Sequence, residues 1–147
     1  MGILKIIIEG VTLLLAIVAL WQARKDYRSH KQTEYHKLFS QLNRRYEKNE
    51  DMQSVVKYLR EKEPIGENIS LYQLEVFLRF FEELGLYMKT ASLNPKDVDK
   101  FFGYYLKQLY TTPRGIELLN RLGDEEEKLE LLQIVKDNLN IHKTKQL

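Results

Sequence analysis

The chain has 147 residues, 44% apolar and 30% charged, with a formal net charge of +2 and no cysteine. That length supports one compact core beside a terminal segment and no more, while the missing cysteines exclude disulfides and thiol chemistry and fit a reducing compartment. The small net charge hides a division, because residues 22–48 carry eight Lys or Arg against three acids, whereas residues 49–147 carry fourteen against seventeen.

Residues 1–23 read as one membrane helix with two faces. Gly2, Lys5, Glu9, Thr12, Ala16, Ala19 and Ala23 recur at alternating spacings of three and four and share one side, every one of them small or polar. Ile3, Leu4, Ile7, Ile8, Val11, Leu14, Leu15, Val18 and Trp21 hold the other. Such a helix can show its apolar side to lipid and its small side to copies of itself, because close packing and interhelical hydrogen bonds, not hydrophobicity, join helices in a bilayer. Ile3 to Trp21 is 19 residues, close to the roughly 20 needed to cross the hydrocarbon. The expected oligomer face is therefore Lys5, Glu9, Thr12, Ala16, Ala19 and Ala23.

Glu9 lies roughly two turns into this span, where an ionised carboxylate costs at least a few kcal/mol. Either several copies of Glu9 and Thr12 line a polar seam or narrow pore, or Lys5 and Glu9 pair at i, i+4 near the outer surface with Lys5 snorkelling outward. A cleaved signal peptide needs a small-x-small site behind the apolar stretch, and none is well placed. Trp21 followed by Arg24 and Lys25 reads as a stop at the membrane interface. The positive-inside rule then puts the C-terminal body in the cytoplasm.

Residues 24–48 continue as a basic juxtamembrane neck helix, with Tyr35, Leu38, Phe39, Leu42 and Tyr46 forming one apolar face. Its cations are attracted to anionic lipid, by about 1 kcal/mol each. Arg44 and Arg45, farther along, are candidates for an anionic cytosolic ligand. Asn49 can cap a second helix bearing Met52, Val55, Val56 and Leu59, which stops before Pro64-Ile65-Gly66. Ser70 and Gln73 make a capping box for the third, with Ile69 stapling to Leu74. That helix carries Leu74, Phe77, Leu78, Phe81 and Leu84 as one stripe and Val76, Phe80 and Tyr87 as another, so it is expected to be buried on two sides.

Arg79 sits among Phe77, Leu78, Phe80 and Phe81, and its spacing to Glu75, Glu82 and Glu83 predicts local ion pairs. Asn94-Pro95 and Thr112-Pro113 read as caps and first residues of a fourth and a fifth helix. The fourth carries Val98, Phe101, Phe102, Tyr105 and Leu109, with Gly103 admitting a close neighbour. The fifth carries Ile116, Leu119 and Leu122, with Gly123 as its terminator. Asp124 is expected to open a sixth helix, with Glu125, Glu126 and Glu127 placed against its dipole and Leu129, Leu132, Val135 and Leu139 as its apolar line. The chain after Ile141 reads as a frayed tail.

Thr111-Thr112-Pro113-Arg114-Gly115 is the candidate binding motif. A helix start offers backbone N–H groups and Arg114 offers a fork matched to phosphate. Tyr104, Tyr105 and Tyr110 lie upstream with Lys100 and Lys107, so a phosphate beside a stacked base is the implied ligand. The ligand set is thus Arg44, Arg45, Lys100, Tyr104, Lys107, Thr111, Thr112 and Arg114. Catalytic signals are missing: His30, His36 and His142 are scattered, and there is no phosphate loop, nucleophile elbow or cysteine. Glu82-Glu83 and Asp97/Asp99 read as solvated faces. No enzyme, metal, cofactor or duplex-DNA partner is expected.

Phe77-Leu78-Arg79-Phe80-Phe81-Glu82-Glu83-Leu84-Gly85-Leu86, then Asp97-Val98 and Phe101-Phe102-Gly103-Tyr104-Tyr105-Leu106, resemble a diffuse family of small bacterial and phage proteins with one N-terminal membrane helix and a cytosolic helical domain of unknown function. The resemblance covers roughly residues 10–120 and rests on packing residues, so it implies architecture. The layout is also similar to the small membrane effectors of type III CRISPR antiviral defence, in which a cytosolic domain binds a cyclic oligoadenylate and membrane helices oligomerise. That similarity is one of size and topology, with no signature residue matched.

The expected fold is all-α: a transmembrane helix (1–23), a neck helix (24–48), a compact cytosolic bundle of about five helices (49–142) and a tail (143–147). The expected function is a single-pass, self-associating membrane effector, a homo-oligomer whose cytosolic domain binds a signal such as a cyclic nucleotide and alters the membrane assembly. The alternative is a constitutive membrane-tethered adaptor that docks a protein partner.

Overall fold

The computed structural model describes residues 2–61 and 68–142, and every regular element among them is helical. The chain divides into two compact units, Met1–Leu38 and Phe39–Leu147. The first unit belongs to α1 (Gly2–Lys48), the one described helix long and apolar enough to cross a membrane. Its most apolar window has a mean hydropathy of 2.5 and none of it is buried within the protein. The residues from Ile3 to Trp21 are exposed throughout, leaving one contiguous apolar surface larger than single scattered hydrophobic residues would make.

The second unit begins with the last residues of α1, where Leu42 and Tyr46 are buried and Phe39 half-buried, as the neck pattern predicts. Asn49 adopts an extended conformation, ends α1 and caps α2 (Glu50–Arg60), accepting from the Met52 amide at 3.0 Å. Gln53 Nε2 donates to the Tyr46 carbonyl at 2.7 Å and secures the joint. Met52, Val55, Val56 and Leu59 are all buried. Glu61 is the extended C-cap, and the Pro64-Ile65-Gly66 stop expected beyond it lies outside the described residues.

The capping box of α3 (Leu71–Lys89) is formed in both directions, with Ser70 Oγ accepting from the Gln73 amide at 3.1 Å and Gln73 Oε1 from the Ser70 amide at 3.0 Å. This helix packs against α2, α6 and α7, so it is central as expected. Phe77, Phe80 and Phe81 are buried, while Val76 and Tyr87 of the second stripe are half-buried. Tyr46 and Phe102 complete an aromatic cluster, the Tyr46 ring lying 5.4 Å from Phe80 and 5.3 Å from Phe102. Gly85 lets α3 approach the start of α7 closely, because a Cβ there would overlap the Leu131 carbonyl.

Asn94 caps α4 (Pro95–Val98), accepting from the Lys96 amide at 2.9 Å. The expected fourth helix is not continuous. A π-helical turn over Asp99–Gly103 separates α4 from α5 (Tyr104–Thr111). A wider turn holds an extra residue and advances the buried face. Leu106, Leu109 and Tyr110 are therefore buried, Tyr105 only half so, and Phe101, expected in the core, is 50% exposed. Gly103 admits a close neighbour as predicted, a Cβ there lying 2.9 Å from Leu139 Cδ2.

Thr112 caps α6 (Pro113–Leu122), and Gly123 ends it at φ 65°. The expected sixth helix starts later than Asp124. Gly123–Glu125 forms a 3₁₀ turn and α7 spans Glu130–Asn138. Glu127, Lys128 and Leu129 donate their amides three residues back, holding tight turns. Glu126, expected against the dipole of that helix, points inward instead. Leu132, Val135 and Leu139 are buried and Leu129 is half-buried. The tail 143–147 lies outside the described residues.

Candidate functional site

Within the first unit, α1 brings Lys5, Glu9, Thr12, Ala16, Ala19 and Ala23 onto one exposed face. Lys5 Nζ lies 3.9 Å from Glu9 Oε1, the predicted i, i+4 pair. Thr12 Oγ1 donates to the Ile8 carbonyl at 2.8 Å, so its hydroxyl proton is satisfied without water. At the other end of the apolar stretch Lys25 Nζ sits 5.4 Å from the Trp21 ring.

In the second unit, the candidate cations are largely committed to the fold. Arg45 grips both carboxylate oxygens of Glu83, one at 3.3 Å, with its guanidinium 5.3 Å over the Phe80 ring. Glu83 also accepts from the Tyr87 hydroxyl at 3.3 Å. This corrects the expectation that Glu83 serves Arg79, which is exposed on α3. A bidentate fork from another helix outcompetes a long flexible neighbour on the same one. Lys107 pairs with Asp99 at 2.5 Å, so Asp99 is not merely a solvated acid.

Arg114 is engaged within the fold. It donates to the Glu61 carbonyl and stacks 4.2 Å over the Tyr58 ring, tying α6 to the end of α2. The Thr111 hydroxyl donates to the Lys107 carbonyl at 2.8 Å. Thr112 Oγ1 donates to the Gln108 carbonyl at 2.7 Å and accepts from the Gly115 amide at 3.2 Å. Arg44 is exposed on α1, Tyr104 is 64% exposed, and Lys100 lies 5.3 Å from the Phe101 ring. The Tyr104 and Tyr105 rings meet edge to face at 5.0 Å. Tyr110, expected on the stacking surface, is fully buried.

A polar cluster that no sequence pattern announces lies between α5, the Gly123–Glu125 turn region and α7. Glu126 accepts from the Tyr110 hydroxyl and, at 2.9 Å, from Lys136 Nζ, which also lies 4.3 Å from the Tyr110 ring. The Glu126 and Lys136 side chains are only 10% and 14% exposed. Burial, then the Glu126 hydrogen bond and charge, push the Tyr110 hydroxyl far above its ordinary pKa. Nothing periodic marks these residues. Glu126 is hidden within an acidic run, and only the advanced register of α5 brings Tyr110 to it.

Among the described residues no three His, Asp or Glu side chains gather as a metal site. Comparison with family models, curated proteins and solved structures gives no match for this chain.

Proposed function

We propose that this chain is a single-pass membrane protein that self-associates through the Lys5, Glu9, Thr12, Ala16, Ala19 and Ala23 face, with its helical domain in the cytoplasm receiving the signal that biases the assembly. The observation that carries the reading is that every residue from Ile3 to Trp21 is exposed, with none buried in a window of mean hydropathy 2.5. Water would penalise that surface heavily, whereas lipid and sister helices would not. The Thr12 back-bond and the Lys5–Glu9 pair lower the cost of keeping polar groups on the small face. The positive excess in residues 22–48 supports the orientation. A signal acts on such an assembly only by binding one arrangement better than another.

The internal engagement of Arg45, Lys107 and Arg114 weighs against a phosphate-bearing nucleotide as that signal. Calorimetry with cyclic oligoadenylate tests it directly: binding that is lost in Lys100→Ala with Tyr104→Ala would restore the nucleotide version. The assembly itself is tested by crosslinking in native membranes. Glu9→Leu with Ala16→Leu should shift the oligomer toward monomer while the protein still resists alkaline extraction. Unchanged oligomer size and membrane activity would defeat the self-association reading.

A second reading has a specific observation in its favour. Phe101 in the π-helical turn and Tyr104, three residues on at the start of α5, are both exposed, as expected of an adaptor that docks a protein. Replacing residues 1–23 with an unrelated membrane helix separates the two. An adaptor keeps its activity in that chimaera, and an effector loses it.

A further inference from the structure

The cations that follow the apolar stretch are not spread around α1. With about 100° per residue, Arg24, Lys25, Arg28 and Lys31 all fall within roughly 80° of Trp21. The acids of the same stretch, Asp26 and Glu34, fall at least roughly 130° away. Trp21 and these four cations share one patch of the exposed helix surface with Ser29 and Gln32, and no acid contributes to it. Thr12, Ala16, Ala19 and Ala23 lie at least roughly 140° from Trp21, on the opposite side of the same helix. The helix therefore presents small residues on one side and a run of positive charge, headed by an indole, on the other.

We infer that the Trp21, Arg24, Lys25, Arg28 and Lys31 face binds the phosphate headgroups of anionic phospholipids in the leaflet at the C-terminal end of the span. The inference rests on the reading of α1 as a membrane helix and adds which lipid it selects and with which side. Three observations favour a headgroup over other anions. The cationic face begins at Trp21, the last residue of the apolar stretch, and Trp21 is the residue type that settles at the headgroup level. The Lys25 ammonium rests 5.4 Å from the indole, so the charge is held where the ring is held. Association through the small side leaves the cations pointing outward, where they meet surrounding lipid rather than the like charges of a sister helix. A second copy is a poor occupant of this face for the same reason.

Trp21 is the sole tryptophan of the chain, so its fluorescence reports the face directly. The full chain is reconstituted in vesicles of phosphatidylcholine containing a minor share of phosphatidylglycerol, with bromine on the acyl chains of one lipid or the other. Brominated phosphatidylglycerol should quench Trp21 about threefold more than its mole fraction predicts, an excess that fades as salt rises from about 50 mM to about 0.5 M. Changing Arg24, Lys25, Arg28 and Lys31 together to Gln should abolish the excess. Changing exposed Lys37, Arg44, Lys48 and Lys57 to Gln removes the same net charge and should preserve it. Quenching by both lipids in proportion to their abundance overturns the inference while leaving the membrane helix standing. No quenching by either lipid removes the membrane helix itself. Loss of the excess on adding inorganic phosphate at constant ionic strength assigns the face to soluble anions and overturns the lipid claim.

Discussion

The Arg45 guanidinium holds both oxygens of the Glu83 carboxylate and covers the Phe80 ring, fastening the end of α1 to α3. Both side chains are partly open to solvent, which screens the pair. Arg45→Ala should lower the unfolding free energy by about 1 kcal/mol, and a double-mutant cycle with Glu83→Gln should give a coupling below about 1 kcal/mol. Urea unfolding of the full chain in detergent measures both. Strict additivity would mean the contact contributes nothing.

Arg114 distinguishes a structural role from a ligand role. Its bond to the Glu61 carbonyl and its stack on Tyr58 are both internal. Arg114→Ala should cost about 2 kcal/mol of stability, summing a charge-assisted hydrogen bond and a cation–π contact. Arg114→Lys should recover only part of it, because an ammonium cannot stack as a planar fork does. An unchanged denaturation midpoint in Arg114→Ala would return this residue to the surface.

Gly85 sets the distance between α3 and α7. In an open helix, Gly→Ala stabilises by roughly 0.5–1 kcal/mol. At Gly85 the added methyl meets the Leu131 backbone carbonyl, which cannot swing aside as a side chain can, and Val135 Cγ2 at 3.3 Å. Gly85→Ala should therefore destabilise by about 1–3 kcal/mol. At Gly10 an added methyl would meet nothing within 4 Å, so Gly10→Ala should leave the unfolding of the helical domain unchanged.

Local signals made much of the fold legible. Asn49, the Ser70/Gln73 box, Asn94-Pro95 and Thr112-Pro113 each act within a few residues, and each cap stands where its chemistry places it. The misreadings begin where a non-local contact overrides a local pattern. The π-helical turn advances the face of α5, exposing Phe101 and burying Tyr110. Tyr110 then draws Glu126 inward, and the Asp124–Leu129 stretch forms turns instead of a helix start. Local spacing likewise gives no sign of the pairing of Arg45 with Glu83 or of Arg114 with Glu61, which span 38 and 53 residues. The two faces of α1 within the first unit were readable because helical period alone defines them.

Tyr46 carries a hydroxyl that is buried among Phe80, Phe81 and Phe102 and makes no hydrogen bond among the described residues. An unsatisfied buried polar group costs about 1–3 kcal/mol. Tyr46→Phe removes that cost while keeping the ring, so it should be neutral or stabilise by about 1 kcal/mol. Tyr46→Ala should cost about 3–5 kcal/mol through the cavity it leaves. A clear loss of stability in the Phe variant would show that the hydroxyl has a partner in solution.

Tyr110 makes the stability of the domain sensitive to alkaline pH. Its ordinary pKa is 10.0, and burial together with Glu126 raises it in the folded state. Below pH 10 the phenol is protonated in both the folded and the unfolded chain, so its contribution is fully present. Above that pH the unfolded chain releases the proton while the folded chain retains it. Stability should then fall by up to about 1.4 kcal/mol per pH unit from this group. The buried Tyr46 hydroxyl is raised in the same direction, by burial first and then by Tyr105, and adds to the slope. Unfolding midpoints measured from pH 8 upward should therefore decline more steeply in the wild type than in either Tyr46→Phe or Tyr110→Phe, even though the latter loses the bond to Glu126. Parallel profiles for all three proteins would mean that neither phenol is held protonated by the fold.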